Sequence, residues 1–398
     1  MKNQPKIALV HDYLNQYGGG ERVVEATAEV WPDAPIYTSI FDKDLMASWL
    51  KIPAERIKTN FIQKLPFIKH LNKHYFFFYP IAFRMQNLGE ADIVISSSSY
   101  AAKFVKAGKN AIHICYLHTP PRFLWGYDTE LTRYYAKPFD RFLSPFYQLA
   151  VPPIKSALRY FDYKVAQGID YFIANSKEVQ GRIKKHYNRD SVVIYPPVDV
   201  ERFSKQTTDY RLQQEAVVGR QKADSFFLVV SRLGGYKKVD IVVGAFNKLG
   251  LPLKIVGEGP QYSYLKKIAK DNIEILGRLG DEEVTKLLGS CTALVFPTHE
   301  DFGIVPVEAM AAGKPVIAYR GGGALETVAE GVIGEFFDQQ TSDDIIGAVK
   351  KFNPGKYDPQ ACRLQAQKFS KEVFQRKMKF FVEEAWEKIQ KSKFKNQN

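Results

Sequence analysis

Short apolar runs alternate with amphipathic segments along the whole chain. In the first half the runs are Ile7 to Val10, Asp92 to Ser96, Ile112 to Tyr116, Tyr171 to Ala174 and Val192 to Tyr195. In the second they are Phe226 to Val230, Leu253 to Val256, Ile273 to Leu276, Ala293 to Phe296 and Pro315 to Ala318. An unbroken apolar run is what a strand needs when both faces of its sheet are covered, so these segments predict parallel sheets with helices on either side. Two sets of runs predict an α/β chain of two doubly wound, Rossmann-like domains. The break falls near Tyr195-Pro196-Pro197-Val198-Asp199, where two prolines end the sheet, and a polar stretch runs from Ser204 to Asp224. We therefore expect a first domain over residues 1–200 and a second over 201–369. A last helix over 370–398 starts on Ser370 as N-cap and carries Phe374, Met378, Phe381, Ala385 and Ile389 on one face. That stripe needs a surface to cover: either the second domain or, by returning, the first.

The most informative segment is Thr298 to Ala318, which places Glu300 and Glu308 across a Phe302-Gly303 turn, between two strands. Pro306 suits a helix start and Gly313 a helix end, so the carboxyl end of the strand Ala293 to Phe296 meets a helix N-terminus. Free N–H groups at Gly303 and Ile304 and the positive end of the helix dipole suit a phosphate. Carboxylates beside such a site are useful only as acceptors from neutral hydroxyls. A sugar nucleotide supplies both: a diphosphate flanked by hydroxyl-rich rings.

Other loops at strand carboxyl ends fit the same ligand. Ser231-Arg232-Leu233-Gly234-Gly235-Tyr236-Lys237-Lys238 puts two cations, Arg232 and Lys237, around a glycine turn. Val256-Gly257-Glu258-Gly259-Pro260 makes a tight turn but lacks the third glycine of the dinucleotide fingerprint, which argues against an oxidoreductase. In Arg320-Gly321-Gly322-Gly323, glycine allows close backbone approach to a ligand. In the first half, Gly18-Gly19-Gly20-Glu21 follows the first strand and His118 lies just past the third.

Composition narrows the partners. With 398 residues and 45% hydrophobic content the chain can fill two cores, and a net charge of +13 calls for an acidic partner. No zinc-ligand spacing or basic zipper helix is present, so no nucleic-acid partner is expected. The chain has no signal-peptide pattern and no apolar run near ~18 residues, which leads us to expect a cytoplasmic protein, peripheral at most on the inner face of the plasma membrane. Cys115, Cys291 and Cys362 are unclustered and read as core fillers.

Taken in order, SRLGGYKKVD, IVGEGP, LGRL, FPTHEDFGIVPVEAMAAGKPVIA and GGGALETV closely resemble the retaining family 4 glycosyltransferases of the GT-B fold. The similarity spans almost the whole chain. It implies two Rossmann-like domains facing across a cleft, with the acceptor on the first and the nucleotide sugar on the second. By resemblance Glu300 holds the donor hexose, Glu308 the ribose, and Arg232 and Lys237 the diphosphate; Lys238 stands where the family often has glycine. Gly257, Arg278 of LGRL and the run Phe302, Gly303, Ile304 and Val305 join the donor contacts. Gly19 and Gly20 match the family's glycine loop, and His118 its active-site histidine against the donor sugar. HDYL, APIYTS, SSSS and HTPPRFLW look like the branch of O-antigen and exopolysaccharide mannosyltransferases, which implies mannose from GDP-mannose and a lipid-linked saccharide acceptor. A UDP-sugar enzyme of the same fold and a non-catalytic polysaccharide-binding or lipid-binding scaffold are the alternatives.

The resemblance implies no metal and no cofactor beyond the nucleotide-sugar donor, although Asp42-Lys43-Asp44 spells the D-x-D string of another glycosyltransferase fold. Were the enzyme inverting, Asp12 beside the glycine loop would be the candidate base. Residues 61–86 interleave Lys64, Lys69, His70, Lys73, His74 and Arg84 with Phe61, Leu65, Phe67, Leu71 and Tyr75 to Tyr79. That segment reads either as core with snorkelling lysines or as a patch for anionic membrane.

Overall fold

The computed structural model describes residues 4–47, 49–127, 138–204 and 225–395. The polar stretch expected after Ser204 therefore lies outside the described residues, as do the last three residues of the C-terminal tail. The chain forms two compact units, one of Met1–Pro197 with Phe374–Asn398 and one of Val198–Val373.

The first unit is built on a seven-stranded parallel sheet. Its strands are β1 (Ile7–His11), β2 (Ile36–Thr38), β3 (Ile57–Thr59), β4 (Ile93–Ser98), β5 (Ile112–Leu117), β6 (Tyr171–Ala174) and β7 (Ser191–Val193). They lie in the order β3-β2-β1-β4-β5-β6-β7. Every residue of β1, β4 and β5 is buried, so their apolar positions do not alternate with exposed polar ones; the polar residues they hold, Ser96 to Ser98 and His113 among them, are buried too. β2 and β3 are three residues each, too short to stand out as apolar runs. The second unit holds a six-stranded parallel sheet of β8 (Phe227–Val230), β9 (Leu253–Val256), β10 (Ile273–Gly277), β11 (Ala293–Phe296), β12 (Val316–Tyr319) and β13 (Gly334–Phe337). Its order is β10-β9-β8-β11-β12-β13.

In both sheets the chain first runs outward from the central strand to one side, then returns to build the other. The reversal falls between β1 and β4 in the first sheet and between β8 and β11 in the second. Loops at the carboxyl ends of strands diverge there, so each sheet has one crevice suited to a ligand.

The last helix, Lys371–Lys395, begins with the Ser370 hydroxyl accepting from the Val373 N–H at 3.3 Å. Phe374, Met378, Val382 and Ala385 are buried in the core of the first unit with Ile7, Ile36 and Ile112. Phe374 meets the Tyr116 ring edge-on at 5.9 Å, and Phe381 meets Tyr171 at 5.8 Å. All three cysteines are buried and free.

Candidate active site

In the second unit, the loop after β8 carries Arg232, exposed, and then a short 3-10 turn over Gly235–Lys237. Lys238 follows in the left-handed region at φ 55°, the conformation that glycine adopts without strain, and caps the helix Val239–Leu249. This accounts for the doublet: Lys238 makes the turn, while Lys237 extends to form an ion pair with Glu300 Oε1. The Thr298 hydroxyl donates to the Lys237 carbonyl at 3.0 Å, tying the β8 loop to the β11 loop. Lys237 Nζ also lies 5.0 Å over the Tyr236 ring.

Beyond Glu300, Gly303 turns the chain at φ 80° into the helix Ile304–Ala311, with Pro306 in its first turn and Gly313 beyond its end at φ 75°. Ile304 and Val305 are half-buried at the helix start. Glu308 is 6% exposed on the same helix. Phe302 points inward, its ring against Phe369 at 5.6 Å, so any contact it makes with a donor comes from its backbone.

The glycine loops pack closely on neighbouring loops. A Cβ on Gly322 would stand 2.2 Å from the Glu300 carbonyl oxygen, and one on Gly323 would stand 2.2 Å from that of Phe302. The Gly323 N–H donates to the Glu300 carbonyl at 2.8 Å. The triplet after β12 thus clamps the loop that carries Glu300. Gly257 likewise faces the Ser231 carbonyl, 1.8 Å from where its Cβ would be, and packs the β9 loop beneath the β8 loop. Arg278 follows β10 and is exposed.

In the first unit the corresponding crevice holds two histidines. His118 follows β5, and its Nε2 lies 2.8 Å from the Ser97 hydroxyl on β4. The other side of Ser97 meets His11 at the end of β1: His11 Nδ1 is 3.1 Å from the Ser97 carbonyl and 3.2 Å from its hydroxyl. His11 Nε2 faces Glu21, buried in the first turn of the helix Gly19–Val30, at 3.7 Å. Gly20 lies over both rings, since a Cβ there would be 3.6 Å from His11 Cε1 and from His118 Nε2. Glu21, His11 and Ser97 join His118, Gly19 and Gly20 here; they lie in the GGGE, HDYL and SSSS segments, which gave them no role of their own.

Asp12 is not available as a base. Its carboxylate accepts from the N–H groups of Ser99, Tyr100, Ala101 and Ala102 at 2.6 to 3.0 Å, and from the Ser99 hydroxyl at 3.0 Å. Burial alone would raise its pKa, but His11 beside it and the backbone donors hold it below the usual carboxylate range. It organises the turn after β4. Asp42 of the D-x-D string caps the short helix Lys43–Met46, accepting from the Leu45 N–H at 3.3 Å, with Lys69 3.4 Å from its other oxygen.

Residues 61–86 divide into buried and exposed side chains. Ile62, Ile68, Tyr79, Ala82 and Phe83 are buried in the first unit. Phe61, Phe67, Leu71, Phe77, Phe78, Ile81 and Met85 are exposed, Phe67 by 77% and Met85 by 72%, beside exposed Lys64, Lys69 and Arg84. The side chains of His70, Lys73 and His74 lie outside the described residues. No described helix is long and apolar enough to cross a membrane.

Residues 17–202 match the family described as Glycosyltransferase Family 4, and residues 211–369 the family described as Glycosyl transferases group 1. The chain belongs to the family 4 glycosyltransferases, and its two parallel-sheet domains are those of the GT-B fold. An uncharacterized glycosyltransferase of Methanocaldococcus jannaschii is 30% identical over 192 residues, 47% of this chain and 50% of the relative. The chain thus spans about half the length of that curated relative. An α-1,3/1,6-mannosyltransferase of Saccharomyces cerevisiae is 24% identical over 390 residues, 84% of this chain and 73% of the relative. Among solved structures, Anabaena HepE in complex with UDP and glucose superposes with a TM-score of 0.66 at 18% identity, covering 96% of this chain and 100% of HepE. That likeness is one of fold.

Proposed function

We propose that the protein transfers a hexosyl group, mannosyl from GDP-mannose, to a hydroxyl of a lipid-linked saccharide with retention of anomeric configuration, in the synthesis of a cell-surface polysaccharide. The observation that carries the reading is the Lys237–Glu300 pair at the reversal point of the second sheet: a cation for a diphosphate and a carboxylate for sugar hydroxyls, held on adjacent loops. As the sugar–oxygen bond breaks, negative charge develops on the leaving diphosphate. Arg232, Lys237 and the N–H groups at Gly303 to Val305 stabilise it there more than in the ground state. Glu300 holds hexose hydroxyls and Glu308 the ribose. His118 contacts the hexose, with Gly19 and Gly20 keeping the backbone low around it. The acceptor enters on the face from which the diphosphate departs, and a phosphate oxygen takes its proton. Asp12, occupied by backbone donors, is not the base of an inverting mechanism in this reading.

The mannosyl assignment is supported by the likeness to the yeast mannosyltransferase and by the HDYL, APIYTS and HTPPRFLW segments. HepE, whose structure holds UDP and glucose, makes a UDP-sugar donor the second reading. The exposed aromatic and basic side chains of residues 61–86 rest on anionic lipid at the inner face of the plasma membrane and admit the lipid-linked acceptor. Two experiments test the reading. A ligand held by the folded state raises the melting temperature, so GDP-mannose should stabilise the protein more than UDP-sugars do; the reverse order would favour the second reading. An NMR time course should show an α-product from an α-donor, and a β-product would overturn retention.

A further inference from the structure

Three buried side chains in the first unit, Glu21, His11 and Ser97, form a line that ends at half-buried His118. Proton positions along it follow from what each atom can do. A carbonyl oxygen only accepts, so His11 Nδ1, 3.1 Å from the Ser97 carbonyl, carries a proton. Its other nitrogen faces the Glu21 carboxylate at 3.7 Å, with both side chains about 5% exposed or less. The carboxylate is the partner on that side of the ring and keeps the imidazole turned with Nδ1 toward Ser97. The Glu21 carboxyl lies below the usual carboxylate range: burial raises it, and His11, its own backbone N–H and His118 together lower it more.

With His11 donating toward it at 3.2 Å, the Ser97 hydroxyl oxygen accepts on that side. Its own proton then points along its shortest contact, to His118 Nε2 at 2.8 Å. His118 Nε2 is thereby an acceptor, and the ring's single proton sits on Nδ1.

We propose that Glu21, His11 and Ser97 are positioning residues that hold His118 in its Nδ1–H tautomer. The four residues come from β1, the helix Gly19–Val30, β4 and the loop after β5, so the line ties together the elements that meet at the reversal point of the first sheet. A ring fixed as a donor on Nδ1 suits a hydroxyl oxygen of a sugar better than one free to exchange tautomers. That last step rests on the reading of His118 as a donor-sugar contact; the tautomer itself does not.

The test uses the full-length protein with ¹⁵N-labelled histidine, free of substrate, and two-bond ¹H–¹⁵N correlation spectra, with His118→Gln to assign the ring. The wild type should show His118 protonated on Nδ1 only. Ser97→Ala, which removes one oxygen atom, should shift His118 toward the Nε2–H form, as should Glu21→Gln to a smaller extent. In turnover, Ser97→Ala should lower kcat about tenfold, the worth of one well-placed hydrogen bond, with KM for the donor within about threefold. An Nε2–H tautomer in the wild type would overturn the proposal, as would unchanged His118 signals in folded Ser97→Ala. Lost turnover together with unchanged His118 signals would also count against it. If the tautomer responds as described but no nucleotide sugar is turned over by the wild type, the positioning stands and the donor-sugar reading falls.

Discussion

Lys237 and Glu300, 63 residues apart, form an ion pair between the β8 and β11 loops. On the proposed reading the lysine serves a diphosphate and the glutamate a hexose, so a bound donor has to supply partners for both. A nucleoside diphosphate without sugar must draw Lys237 from Glu300 and leave the carboxylate uncompensated. Glu300→Gln removes that competition. We expect GDP to bind this variant about fivefold more tightly by calorimetry, as befits a half-buried pair of ~1 kcal/mol, while turnover of the sugar nucleotide falls at least ~100-fold. Unchanged GDP affinity would mean that the pair places no restraint on the lysine.

Gly323 offers a test of the clamp on that loop. Gly323→Ala puts a methyl 2.2 Å from the Phe302 carbonyl oxygen, and the loop bearing Glu300 has to shift. Donor turnover should fall roughly 10–100-fold through misplacement of Glu300, with the far-ultraviolet circular dichroism unchanged. If glycine is there to let the protein backbone approach the ligand and not to clamp the loop, crystallographic comparison will show Glu300 unmoved.

Asp12 should matter to folding, not to chemistry. Asp12→Ala strands four backbone N–H groups, and we expect it to cost the first unit about 3 kcal/mol or more in urea denaturation. Because the folded-state pKa is lowered, the carboxylate's contribution is present above the unfolded value, 3.8, and is lost as pH falls through the folded one. Activity per folded molecule should be largely retained; a catalytic base would give the opposite pattern.

His113 sets a second pH window. Burial depresses its imidazole from 6.5 to about 4, where it faces the Ser96 hydroxyl at 2.8 Å. Between those values the unfolded chain takes up a proton that the folded one refuses, so stability falls as pH drops from 6.5 toward 4 and levels off below, by about 3 kcal/mol in all. Denaturant midpoints at pH 7.5 and 5 should differ accordingly, and His113→Gln should flatten the difference.

The sequence made some of this visible and hid the rest for definite reasons. Apolar runs such as Ala293 to Phe296 are legible because a strand buried on both faces has no exposed polar position to blur it. Ile36–Thr38 and Ile57–Thr59 are too short to register, and β13 mixes Gly334 and Glu335 into its four residues. The loops after β8 and β11 were legible as neighbours because Lys237 and Glu300, which the structure pairs, sit in compact motifs. The glycine triplet was legible as close approach, but not as approach to the Glu300 loop, since a neighbour from another strand leaves no trace nearby. Glu21, His11 and Ser97 were hidden for the same reason: their relation exists only once β1 and β4 pair, His11 opposite Ser97. Asp12 looked reactive because a buried aspartate and a catalytic one are the same letter.

The central claim is that the β8 and β11 loops bind and activate a nucleotide sugar. The most direct measurement is nucleotide release from GDP-mannose, followed in wild type, Lys237→Ala, Arg232→Ala and Glu300→Ala with a lipid-linked saccharide acceptor. We expect GDP release by the wild type and a loss of at least ~100-fold in each variant. Release at wild-type rate in the folded variants would contradict the account.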